Sequence, residues 1–157
     1  MKLPGLILAL AFAATLAAAE PYKAGDKFEG FACKDQHEKD YSYVGGARRI
    51  VVAFEMGSGK AANAYFEKQP AAFLDQEKTL FISNIHGMPG IGRMFALPKM
   101  KKYPHRILLA DSENFLVRYP RKEDHLTVLT LDDAGKVTAV DFVNPKKAMA
   151  EIFAGKK

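Results

Sequence analysis

Arg49-Ile50-Val51-Val52-Ala53-Phe54-Glu55-Met56-Gly57-Ser58-Gly59-Lys60-Ala61-Ala62 is the stretch that decides how this chain folds. Arg49 to Phe54 is a continuous β-branched and apolar run, the composition of a strand buried on both faces. Gly57-Ser58-Gly59 breaks the run, and Lys60 to Gln69 then reads as a helix with Ala61, Ala64 and Tyr65 turned inward. A doubly buried strand followed at once by a helix belongs to an α/β architecture, a sheet covered by helices.

Working outward, the flanks repeat the alternation of short apolar runs and amphipathic stretches. Upstream, Phe28 and Phe31 precede Asp35-Gln36-His37-Glu38, and Tyr41 and Tyr43 follow it, which predicts a hairpin. Downstream, Pro70 restarts the helix at its first turn. Thr79 to Ile85 is a second buried strand, and Gly87-Met88-Pro89-Gly90-Ile91-Gly92 reads as a loop on its glycine and proline content. Met94 to Tyr103 reads as a helix with Pro98 near its start or at a kink, and Arg106 to Ala110 as a short strand ended by Asp111-Ser112-Glu113-Asn114. Leu126 to Leu131 and Lys136 to Phe142 flank the turn Asp132-Asp133-Ala134-Gly135, a hairpin signal. In the last segment Asn144 is a cap, Pro145 fits a first helical turn, and Ala148, Met149, Ile152 and Phe153 form a stripe closed by Gly155.

The 157 residues carry 23 Lys plus Arg, 18 Asp plus Glu and one cysteine. That length buries a core without disulfide staples, and one thiol excludes a disulfide scaffold, a multi-thiolate zinc site and an intramolecular dithiol cycle. Residues 1–19 read as a secretory signal: Lys2, an apolar stretch Leu6 to Leu16, and Ala17-Ala18-Ala19 before Glu20. The stretch is shorter than the ~20 residues of a membrane-spanning helix, so an uncleaved anchor is the lesser alternative. Cleavage removes Lys2 and lowers the net charge from +5 to +4. The expected product is a single domain over residues 20–157 without a transmembrane segment, placed in the periplasm.

The element order, hairpin, strand, helix, strand, helix, strand, hairpin, helix, resembles the thioredoxin-like superfamily in its redoxin branch. Val51-Val52-Ala53-Phe54 before a glycine-broken helix start, and Leu126 to Val137 with Asp132-x-x-Gly135-x-Val137, carry the resemblance. Within it the chain is similar to periplasmic YtfJ-type proteins, on Met88-Pro89-Gly90-Ile91-Gly92-Arg93-Met94-Phe95 and on Lys101-Lys102-Tyr103-Pro104 before a strand ending at Asp111-Ser112. The resemblance implies a three-layer fold, a mixed sheet flanked by helices with an N-terminal hairpin extension. It also implies Cys-x-x-Cys where the first central strand meets its helix. The chain departs from that pattern: Glu55 to Ala62 holds no thiol there. The family's cis-proline position falls on Leu126, or on His125 with the alignment slipped by one. No catalytic residue therefore carries over.

Cys33, the one thiol, reads as a packed strand residue or as a peroxide-sensing or partner-linking cysteine. With His37, four residues on, and with Met88, Met94 and Met100, it gives a minor copper-carrier alternative, since soft sulfur ligands suit Cu(I). Gly57-Ser58-Gly59-Lys60 is too incomplete for a nucleotide phosphate loop, since Phe54 holds the first glycine position and Ala61 follows the lysine. It reads as a shortened turn, or as a place for a small anion with Lys60. Lys99, Lys101, Lys102 and Arg106 form a basic run that serves as a solvated face or meets anionic surfaces, and export argues against nucleic acid. Met88, Ile91, Met94 and Phe95 place apolar groups on a connection, packed inward or offered to a partner. No cofactor is expected. The expectation is a binding or adaptor module for an unidentified periplasmic protein or small ligand, with a one-cysteine peroxidase at Cys33 as the first alternative.

Overall fold

A computed structural model of the chain describes residues 18–155. The predicted signal segment 1–19, but for its last two residues, lies outside them. The strands are β1 (Phe31–Asp35), β2 (Asp40–Tyr43), β3 (Arg49–Ala53), β4 (Thr79–Asn84), β5 (Leu108–Ala110), β6 (Leu126–Leu131) and β7 (Val137–Val143). The helices are α1 (Met56–Phe66), α2 (Phe73–Gln76), α3 (Gly90–Met100) and α4 (Met149–Phe153). All seven strands form one mixed sheet in the order β2-β1-β5-β4-β3-β6-β7. The central β3-β4-β5 set is parallel, and the hairpins β1-β2 and β6-β7 join it antiparallel.

Alternation along β3 divides the core. Val51 and Ala53 face one side of the sheet with Phe81, Leu126 and Val128, and Ile50 and Val52 face the other with Ile82, Leu129 and Leu131. Because β3→β4 and β4→β5 step across the sheet in the same direction with right-handed crossovers, α1 and α3 cover the same face. Ala62 and Phe66 of α1, Leu74 of α2, Met100 of α3, and Met149 and Ile152 of α4 all pack there. The opposite face is covered by irregular chain, with Tyr22, Phe28 and Tyr119 buried and Phe115 and Leu116 beside them. The sheet thus has its helices on one side and an aromatic, turn-built layer on the other.

Several boundaries depart from the sequence reading. First, α1 begins at Met56 and not at Lys60, because Glu55 opens a helical turn: its carbonyl accepts from Gly59 N at 2.9 Å and from Ser58 Oγ at 3.0 Å. Second, the glycine-rich segment read as a loop is helical from Gly90, so Ile91 and Phe95 sit on α3 and only Met88 precedes it. Arg93 holds that helix start down: its guanidinium donates to the Ile85 carbonyl at 2.9 Å and pairs with both oxygens of Asp111. Gly92 belongs to the same turn, since a Cβ there would come within 3.3 Å of Met88 Cγ. Third, β5 starts at Leu108 because the Gln36 side chain takes the place of a strand partner upstream. Gln36 Nε2 donates to the His105 carbonyl at 2.7 Å, and its Oε1 accepts from Ile107 N at 2.8 Å. The last helix is also shorter than predicted. Asn144 caps a turn, its side chain accepting from Lys146 N at 3.0 Å, and α4 follows only at Met149.

Candidate functional site

The junction of β3 and α1 is where the resemblance calls for thiols, and a carboxylate stands there. Glu55 has the extended backbone of an N-cap, yet its side chain turns away from α1. One carboxylate oxygen accepts from Arg121 Nη2 at 2.9 Å and the other from the backbone N–H of Asp124 at 2.9 Å. The bond from Arg121 foremost, then that from Asp124, holds the Glu55 carboxyl below its ordinary range, so it is ionised at neutral pH. Arg121 also lies over the Phe54 ring, with its guanidinium carbon 5.8 Å from the centroid. The clamp fastens the segment before β6 to the start of α1. Gly57 and Ser58 serve the helix start and Ser58 is buried, so they present no open loop to a phosphate.

Beside this corner, on the helical face, α1 and α3 leave a cleft over the end of β4. Its volume is about 70 Å³, and it is partly open to solvent. Gly59, Lys60 and Asn63 come from α1, Ser83 and Asn84 from β4, and Met88, Lys99, Met100 and Tyr103 from α3 and its flanks. The floor is polar and deep: Asn63 is 4% exposed and Ser83 7%. Asn63 Oδ1 lies 2.8 Å from His105 Nε2, so with that oxygen as acceptor His105 carries its proton on Nε2. His105 Nδ1 is then buried without a partner, and burial lowers the imidazole pKa to about 4. Of the site residues read from sequence, Gly59, Lys60 and Met88 meet in this cleft. Ile91 and Phe95 do not: they lie on the outer side of α3, 71% and 74% exposed, with Met94 beside them.

Cys33 sits apart from both places. It lies half-buried on β1 opposite Tyr41, in an open cleft of about 370 Å³ shared with Arg93, Leu97, Asp111 and Phe115. Burial pushes its thiol pKa up to about 11, while a hydrogen bond with the Leu109 backbone pulls weakly the other way. The copper set read from sequence is dispersed. His37 is exposed in the β1–β2 turn, Met88 and Met100 line the α1–α3 cleft, and Met94 faces solvent. Among the described residues no three His, Cys, Asp or Glu side chains converge on a metal position. Sequence reasoning missed Asn63, Ser83, Tyr103 and the Glu55–Arg121 clamp. The prior signal was the pair Ser83-Asn84 after the apolar run Leu80-Phe81-Ile82, at the strand end where α/β sheets receive ligands.

These features define a thioredoxin-like fold. No family model matches the chain, and no curated protein matches it. Among solved structures it is similar to a putative thiol:disulfide interchange protein DsbE from Chlorobium tepidum, with a TM-score of 0.56, 15% identity, and 83% of this chain and 95% of that one covered. It is similar also to the thioredoxin domain of a thiol-disulfide oxidoreductase from Bacteroides vulgatus, with a TM-score of 0.55, 17% identity and coverage of 85% and 99%. A peroxidoxin, BcpB from Mycobacterium tuberculosis, matches with a TM-score of 0.54, 14% identity and coverage of 86% and 99%. These likenesses establish the fold. Among the described residues no helix is long and apolar enough to cross a membrane.

Proposed function

We propose that this chain is an exported, periplasmic thioredoxin-fold protein, similar to the YtfJ-type group, that works by binding and not by dithiol exchange. Residues 1–19 are its signal segment and 20–157 its single domain. The observation that carries the reading is the β3–α1 corner. Glu55, clamped by Arg121 and the Asp124 amide, stands where this fold places a nucleophilic thiol, and a carboxylate held ionised cannot exchange with a disulfide. The chain's one thiol supports the same reading, being half-buried on β1 with its pKa raised. Two surfaces serve binding: the α1–α3 cleft for a small ligand, and the exposed Ile91, Met94 and Phe95 of α3 for a protein partner.

Purified protein tested for dithiothreitol-driven insulin reduction is expected to give the rate of the protein-free control. Protein-dependent turnover that scales with enzyme concentration would overturn the reading. The peroxidase alternative has one observation in its favour, the open cleft beside Cys33 containing Arg93. It requires peroxide consumption that is lost in Cys33→Ser.

A further inference from the structure

We infer that the α1–α3 cleft binds a small organic monocarboxylate carrying a short apolar body. The inference names the ligand class of the binding module proposed above and rests on that reading. Ser83 and Asn63 are both more than nine-tenths buried and both line the cleft. Among the described residues no hydrogen bond engages Ser83 Oγ or Asn63 Nδ2, the Asn63 oxygen alone being used by His105. The Ser83 hydroxyl and the Asn63 amide are free to donate into the cleft, and both complement an anionic oxygen. Lys60 and Lys99 stand at the same cleft, neither in an ion pair among the described residues, and its lining contains no acidic side chain. Two lysines without an ion-pair partner, lining the same cleft as these neutral donors, attract a carboxylate.

The remaining lining selects the rest of the ligand. Met56, Met88, Ala96 and Met100 with the Tyr103 ring give a wall of thioethers and methyl groups. Thioethers adapt to varied apolar shapes, so a short alkyl chain or single ring fits there. A bare inorganic anion would leave that wall wet and would gain nothing from it. A metal cation is disfavoured by the two lysines.

The full chain labelled with ¹³C at its methionine methyls tests this by NMR titration with hexanoate, benzoate and inorganic phosphate. Met56, Met88 and Met100 resonances are expected to shift saturably with both carboxylates, with a Kd of about 1 mM for ligands of this size. Met94, on the outer side of α3, and Met149, in α4, are expected to stay in place. Lys60 and Lys99 are exposed, so the double variant K60Q/K99Q keeps the fold and should weaken binding at least ~10-fold. Shifts that do not saturate, shifts spread equally over Met94 and Met149, or an equal response to phosphate would each overturn the assignment. A redox activity found by the insulin assay would leave these shifts unchanged, so the two readings fail separately.

Discussion

Alkylation of Cys33 by iodoacetamide, followed by intact mass, turns the burial of this thiol into a rate. A free cysteine has a pKa near 8.5, so roughly three in a hundred are thiolate at pH 7. With the Cys33 thiol at about 11, roughly one in ten thousand is, a deficit of about 300-fold. The more basic thiolate is the better nucleophile. With a Brønsted coefficient of about 0.45, a pKa gap of roughly 2.5 returns about tenfold. Native protein should therefore be alkylated about 20- to 30-fold more slowly than free cysteine at pH 7, before any steric slowing. The rate should climb about tenfold per pH unit and show no plateau below about pH 10. Protein unfolded in urea should regain the free-cysteine rate. Native alkylation at or above the free rate at pH 7, or a plateau below pH 8, would refute the reasoning and revive a reactive thiol on β1.

His105 predicts an acid-side loss of stability. Its folded pKa of about 4 lies below the unfolded value near 6.5, so the unfolded chain binds the extra proton first. The stabilisation is fully present above pH 6.5 and is lost as pH falls toward 4. Urea denaturation should register a loss of about 2 kcal/mol between pH 7 and pH 5, and His105→Gln should flatten that slope. Equal slopes in the two proteins would contradict it. Arg93→Ala removes the bond to the Ile85 carbonyl and the pair with Asp111 that seat the start of α3. The pair is partly exposed, so the expected loss of stability is small, with faster hydrogen exchange confined to α3 amides. Unchanged α3 exchange would place the origin of that helix elsewhere.

The parts of the fold legible in the sequence are those fixed by local pattern. Ile50 to Ala53 read correctly as a doubly buried strand because all four positions are apolar, whichever face each takes. The β6–β7 turn was equally open to reading, since Asp132 Oδ1 accepts from the Ala134 and Lys136 amides and Gly135 takes a φ of 78°. What could not be read depends on groups distant in the chain. Gly90 and Gly92 disfavour a helix locally, and α3 exists there because Arg93 reaches Ile85 and Asp111. Ile107 is apolar and buried, yet β5 begins after it because the Gln36 side chain occupies its backbone N–H. The cleft was hidden for the same reason. Asn63, Ser83 and Lys99 come from three elements whose packing brings them together, and none bears a motif. Lys60 was singled out from its place after a glycine turn, but it serves the cleft and not the helix start.

The β3–α1 corner is the central structural claim: the position of the fold's thiols, held here by a carboxylate clamp. Installing the missing pair tests it directly. Glu55→Cys with Ser58→Cys, in a Cys33→Ser background, puts two thiols three residues apart at the N-terminus of α1, within reach of disulfide geometry. With Glu55 gone, Arg121 and the helix start should together favour a thiolate at position 55. The prediction is an intramolecular disulfide on mild oxidation and, after reduction, a thiol titrating below the free-cysteine range by absorbance at 240 nm. A pair that stays open under oxidation, with both thiols titrating at or above about 8.5, would contradict the claim.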